Sequence, residues 1–375
     1  MRRLRRLAGS VLRRIVRIVV RPSPVRRIVE GALRDTGART SAAKPAGTPA
    51  APAARSILPR ETFVDRYGTT HQLDPELRDR LKPGWRTMLD PATLATAPTD
   101  AALRERAKKV ATPVAEANAL LGVMTGRTLT GRILEIGCYD GSAAFAMAAD
   151  PGADVVGSDL ARYYLHQRPG DVPSADELER QQGILAELRE RARIVAGVER
   201  GRVAFVEDDI TSSTLDPGTF DAIVSFEVLE HLLDPQAGFA AMARLLKPGG
   251  IMYHDYNPFF AVNGGHSLVT LDFLWGHVRL DDGDVERYVR EIRPAEADQD
   301  LRFYRESLNR MTRADLVAAL DGAGLETMAI LPWTQRSLIP QLTPGILREV
   351  QRIYPSARPE ELLQTFVAVV ARKPG

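Results

Sequence analysis

A chain of 375 residues that is 44% hydrophobic and 26% charged can bury one large core or two small ones, which excludes a disordered or low-complexity protein. One cysteine, Cys138, excludes a disulfide framework and a cysteine-based zinc site, and fits a reducing compartment, so a cytoplasmic location is expected. The formal charge of +2 hides an asymmetry: residues 1–40 carry 12 arginines against Glu30 and Asp35, a net +10, so the rest of the chain carries −8 and shows no nucleic-acid footprint.

The first 39 residues read as a basic amphipathic helix. Leu4, Leu7, Val11, Leu12, Ile15, Ile18 and Val19 share one arc of a helical wheel, and arginines fill the opposite one. Its apolar runs fall short of the roughly 20 residues that span a bilayer, and arginines interrupt the apolar core a signal peptide needs. Three readings stay open: residues 1–27 lie peripherally on the anionic inner membrane surface, they dock on the protein's own fold or on a partner, or they form a transit peptide. Residues 40–56, "TSAAKPAGTPAAPAARS", form an Ala/Pro-rich linker. Residues 57–112 read as a helical N-terminal cap, broken at "LKPGW" and "TAPTD", ahead of a main domain over 113–375.

From Arg132 onward short apolar strands alternate with helical segments. "RILEIG", "DVVGSD", "VAFVEDD", "FDAIVSF" and "IMYHDY" predict a doubly wound parallel sheet of the α/β class with helices on both faces. Ligands of such sheets bind at the carboxyl ends of the strands. Helical rules agree locally: Asp234 caps, Pro235 takes the first helical position, and Phe239, Met242, Ala243 and Leu246 share a face.

The turn "ILEIGCYDGSA" faces the ligand. A dinucleotide site needs G-x-G-x-x-G, and this loop has Gly137 and Gly141 with no third glycine. Glu135 and Asp140 would repel a diphosphate and suit a cation. An adenosine cofactor bearing an ammonium and a sulfonium, S-adenosylmethionine (SAM), meets that need. Asp159 closes the second strand, where an acid accepts ribose hydroxyls, and Asp208 and Asp209 follow the third, where a carboxylate accepts from the adenine amino group.

These segments resemble the class I SAM-dependent methyltransferases, in particular the small-molecule group similar to the ubiquinone-biosynthesis O-methyltransferases. "LEIGCYDG", "GSDLA", "FVEDDI", "FDAIVSFEVLEHLLDP" and "LLKPGG" follow the family's motif order over roughly residues 113–255, and "TRADLVAALDGAGLE" and "TFVAVVARKP" resemble its closing helix and strand. The resemblance implies a Rossmann-like, mostly parallel seven-stranded sheet with SAM as cofactor. Glu135, Gly137, Asp140 and Gly141 would then line the methionine end, Asp159 the ribose and Asp209 the adenine. Leu160 and Ile210 would sandwich the adenine ring, and Glu227 would lie beside the cofactor.

Methyl transfer is an in-line displacement, so positioning supplies much of the catalysis. A hydroxyl acceptor also needs a base, and histidine is suited to that. His231, after the fourth strand, and His254, ending the fifth, are the candidate catalytic residues, both expected at the active rim. No metal is expected, and the alternative ligand set is Glu227, Glu230 and His231, taken to share a helix face. Insertions at 256–311 and 337–364 are expected to form a substrate cap, with Tyr256, Asn257, His266, Trp275 and His277 as substrate-binding candidates. The expected activity is methyl transfer, at oxygen, to a small-molecule, glycan or lipid-linked acceptor. The alternative is an inactive scaffold of the same fold docked through its basic helix.

Overall fold

The computed structural model describes residues 61–85, 97–160 and 174–375, all within one compact unit, Leu58–Gly375. The amphipathic segment 1–39 and the linker 40–56 lie outside the described residues.

The segment expected as a helical cap opens with a hairpin instead. Strands β1 (Thr62–Val64) and β2 (Thr70–Gln72) pair antiparallel. Asp65 closes the turn by accepting from the amides of Tyr67 and Thr69 at 2.9 and 2.8 Å, a side-chain bond that competes with helix formation. Helix α1 (Leu77–Leu81) follows. Helix α2 (Asp100–Thr125) begins at a Thr99 cap, ends at Gly126 with φ 73°, and runs straight through the expected boundary at residue 112.

The main sheet has seven strands: β3 (Gly131–Ile136), β4 (Ala153–Asp159), β5 (Val203–Glu207), β6 (Phe220–Phe226), β7 (Leu246–Tyr256), β8 (Glu326–Thr334) and β9 (Gln364–Arg372). Their order is β5-β4-β3-β6-β7-β9-β8. The first five strands pair parallel, and β9 enters antiparallel between β7 and β8. Because β3 has β4 on one side and β6 on the other, the chain leaves it in opposite directions, and the loops after β3 and β6 part to form a crevice.

Alternating side chains of each strand face opposite layers. Ile133, Val155, Val224 and Tyr253 pack with α2, helix α3 (Ser142–Ala148) and helix α4 (Ala175–Ala196). Leu134, Ile223 and Met252 pack on the other face with helix α5 (Pro235–Leu245) and helix α9 (Arg313–Gly322). Asp234 caps α5 as expected, accepting from Ala237 N at 2.9 Å, and Phe239 and Met242 are fully buried.

The insertion after β7 contributes helices α6 (Gly276–Arg279), α7 (Asp282–Ile292) and α8 (Ala297–Glu306), and the segment between β8 and β9 contributes α10 (Pro344–Ile353) and α11 (Pro359–Leu363). Together with Phe63 of the hairpin they build a separate apolar core around Phe259, Phe260, Trp275, Tyr288 and Tyr304. Burying each such ring is worth about 1.5–3 kcal/mol.

Candidate active site

The crevice floor is the loop from Gly137 to Gly141. Gly137 (φ 71°), Tyr139 (φ 45°) and Gly141 (φ 76°) all take left-handed backbone conformations. A Cβ at Gly137 would collide with Val228, and one at Gly141 with the ring of Phe205, so both glycines are required by close packing as well as by conformation.

Five acids surround this loop. Glu135 is buried, one of its oxygens has no partner among the described residues, and burial, then Asp140 and Asp159, push its pKa well above the carboxylate range. Asp140 accepts from Ser142 N at 3.0 Å and from Arg106 Nη1 at 2.5 Å. Asp159 accepts from the amides of Tyr139 and Leu160, both at 2.7 Å, while burial raises its pKa in spite of those bonds. Asp208 accepts from Thr214 N at 2.9 Å through one oxygen, and the other is buried without a partner among the described residues. Asp209 caps the turn Ile210–Ser212 by accepting from Thr211 N and Oγ1.

A cavity of about 200 Å³ opens beside Asp159, between α4 and β5, lined also by Gln182, Leu185, Arg189, Phe205, Val206 and Glu207. The buried strand-end oxygen of Asp208 that lacks a partner is an acceptor, and the unpartnered oxygen of Glu135 becomes one when a bound cation favours its ionised form. A cationic, donor-rich molecule satisfies such a site and a diphosphate does not. S-adenosylmethionine therefore fits the residues present. Of the two residues expected to sandwich an adenine ring, Ile210 is 4% exposed in the core layer beside α5 and Leu160 is a half-buried strand-end side chain.

The opposite wall is the turn after β6. Glu227 (φ 56°) donates its amide to the carbonyl and to Oδ1 of Asp255, at 3.0 and 2.9 Å. Asp255 is buried, and burial lifts its pKa to about 7. Leu229–His231 then form a short 3-10 turn instead of the expected helix. Glu230 is buried, accepts from Asn257 N and Nδ2 at 3.2 Å each, and is pushed up to about 8 by burial. Glu227, Glu230 and His231 therefore do not share a helix face, and no group of three metal-ligating side chains converges among the described residues.

His231 is held from the insertion. Its Nδ1 donates to the carbonyl of Ser307 at 2.6 Å, and burial lowers its pKa. Asn309 secures the same turn: its backbone amide donates to Glu230 O, and its Nδ2 donates to the carbonyls of Leu229 and Leu232 at 2.6 and 2.9 Å.

His254 is not at the rim. It is fully buried on the α5 face of the sheet, edge-on to Phe239, with Nδ1 2.8 Å from Ser225 Oγ, and burial pulls its pKa to about 3. Three expected substrate contacts are likewise core residues. Tyr256 packs among the sheet–helix side chains, Trp275 donates Nε1 to Leu362 O, and His277 donates Nε2 to Phe259 O while fully buried. Asn257 and His266 remain half-buried near the turn, Asn257 through Glu230 and His266 against Phe303.

Arg106, Arg189, Asp255, Ser307 and Asn309 were not legible as site residues. Arg106 is separated from Asp140 by 34 positions and Asn309 from Leu229 by 80, so no local spacing links them.

The methyltransferase domain family model matches residues 94–330. Among curated proteins, the ubiquinone biosynthesis O-methyltransferase of Pectobacterium carotovorum subsp. carotovorum (strain PC1) is 27% identical over 166 residues, 44% of this chain and 58% of that protein. The enzyme of the same name from Cereibacter sphaeroides (strain ATCC 17025 / ATH 2.4.3) is 34% identical over 123 residues, 32% of this chain and 39% of that protein. The chain thus spans less than two thirds of the length of these relatives. Among solved structures, geranyl diphosphate methyltransferase in complex with SAM is 16% identical with a TM-score of 0.40, covering 76% of this chain and 95% of that one. Phosphoethanolamine N-methyltransferase 2 of Haemonchus contortus in complex with S-adenosyl-L-methionine is 17% identical with a TM-score of 0.40, covering 78% and 60%. The family match extends over more than half of the sequence and takes in the crevice between β3 and β6, and the chain belongs to the methyltransferase domain family.

Proposed function

We propose that the enzyme methylates oxygen on a small-molecule, glycan or lipid-linked acceptor, with His231 as the base. The bond from His231 Nδ1 to Ser307 O carries this reading, because it fixes the proton on Nδ1 and leaves Nε2 free to take one. When bound, SAM supplies an electrophilic methyl group. The chain then has to hold the acceptor in line and remove its proton. In this reading Glu135, Gly137, Asp140, Gly141, Asp159, Asp208 and Asp209 hold the cofactor, Glu227 flanks it, and Asn257 and His266 border the acceptor. The basic segment 1–27 supports a cytoplasmic enzyme resting on the inner membrane surface, within reach of a lipid-linked acceptor.

The test is methyl-labelled SAM incubated with the enzyme and separated small-molecule, glycan and lipid fractions. The label is expected in an ether product, and His231→Ala is expected to lower its formation by about 10²–10⁴-fold. Label on nitrogen overturns the oxygen reading, and an undiminished variant overturns His231 as the base.

A further inference from the structure

Two imidazoles from distant parts of the chain meet at Phe303. The ring of His231 lies edge-on to it at 6.0 Å between centroids, and the ring of His266, from the insertion, is tilted against it at 4.2 Å. Their hydrogen bonds run in opposite senses. Nδ1 of His231 donates to Ser307 O, so in the neutral ring Nε2 carries a lone pair. Nδ1 of His266 accepts from the amide of Leu268 at 3.3 Å, so its neutral ring carries the proton on Nε2. Burial, then the charges of His231, Lys82 and Arg78, pull the pKa of His266 to about 3, which keeps it neutral at ordinary pH.

Resting on the oxygen-directed reading above, we propose that His266 is a second acceptor-site residue that, opposite His231, selects a hydroxyl over an amine. A hydroxyl oxygen has two lone pairs, so one accepts from His266 Nε2–H while the other attacks the methyl carbon. A neutral amine has a single pair. If His266 binds it nothing is left to attack, and an ammonium has no pair at all. In the step itself the hydroxyl proton passes to His231 Nε2 and the oxygen forms its bond to the methyl carbon. The electrons of the broken carbon–sulfur bond stay on sulfur, and the positive charge ends on the imidazolium of His231.

The experiment uses the full chain, labelled with ¹⁵N-histidine and loaded with S-adenosylhomocysteine, in long-range ¹H–¹⁵N spectra at neutral pH, with His231→Gln and His266→Gln assigning the signals. Expected are an Nδ1-protonated His231 and an Nε2-protonated His266. Benzyl alcohol and benzylamine, offered with methyl-labelled SAM, then read selectivity. The wild type is expected to prefer the alcohol, His266→Gln to keep that preference through its amide donor, and His266→Leu to lose it by about 10-fold or more. The opposite tautomer at His266, or a His266→Leu variant with unchanged preference, overturns the proposal. If neither probe is turned over, the tautomer spectrum decides. Failure to bind SAM or its product overturns the underlying reading instead.

Discussion

Arg106, on α2, places Nη1 2.5 Å from Oδ2 of Asp140, so the helix that precedes the sheet is tied directly to the loop that faces the cofactor. Asp140 is nearly buried while Arg106 is 42% exposed on its side chain, so only one partner depends on the other for its solvation. Arg106→Ala is expected to destabilise the protein by about 1–3 kcal/mol, because a buried carboxylate loses a charged donor. For a folded unit of this size that is a fall in Tm of about 1–2 °C for each kcal/mol, read by calorimetry. Asp140→Asn should be milder in stability and should weaken SAM binding in a titration. Unchanged melting in Arg106→Ala would show that the pair contributes nothing.

Asn309 spans two carbonyls of the His231 turn, and its side chain is buried. Asn309→Ala leaves both carbonyls without their donor, an expected cost of about 1–3 kcal/mol. Because His231 hangs from the same segment through Ser307, kcat should fall while SAM affinity stays near the wild-type value. A matching loss of SAM binding would place Asn309 in general folding instead of in holding the turn.

The register of β7 turns His254 away from the rim and into the sheet–helix core. Met252 and Tyr256 share the α5 face, Ile251 and Tyr253 face α2, and the period of two puts His254 with Met252. That parity is readable, since "IMYHDY" alternates, whereas position at the strand end alone predicts His254 at the rim. The places of Asp159 and Gly137 at the ends of β4 and β3 are legible because local sequence encodes where a strand stops. Arg106, Ser307 and Asn309 act through contacts that only the packed chain creates. The cap shows the same division: its aromatics are visible in sequence, but whether Trp275 and His277 line a pocket or fill a core depends on what packs against them, here Leu362 and Phe259.

His254→Asn follows from that placement. With the ring fully buried against Phe239, the change removes packing, and a loss of about 1–3 kcal/mol is expected, measured by urea unfolding. At a temperature where the variant remains folded, its kcat and the shape of its pH–rate profile should match the wild type. A shifted ascending limb would return His254 to the proton-transfer path.

The same buried groups set the pH dependence of stability. His254, His266 and His277 have folded pKa values pulled by burial to about 3, 3 and 4, below the ordinary 6.5. As pH falls below about 6.5 the unfolded chain takes up protons that these rings refuse, so each contributes a loss of about 1.4 kcal/mol per pH unit until its folded pKa is reached. Glu230 and Asp255 act in the other direction, raised by burial to about 8 and 7 from 4.5 and 3.8. Their contribution is complete below the unfolded values and is lost as pH rises through the folded ones. Between about pH 4.5 and 6.5 the two sets oppose each other, and between 6.5 and 8 only the carboxyls act, so stability should decline from about pH 6.5 towards 8. Urea unfolding of the wild type and of Glu230→Gln across that range checks this. The variant should show a shallower decline, since glutamine has no proton to lose, and an identical slope in both would mean that Glu230 is already ionised in the folded protein.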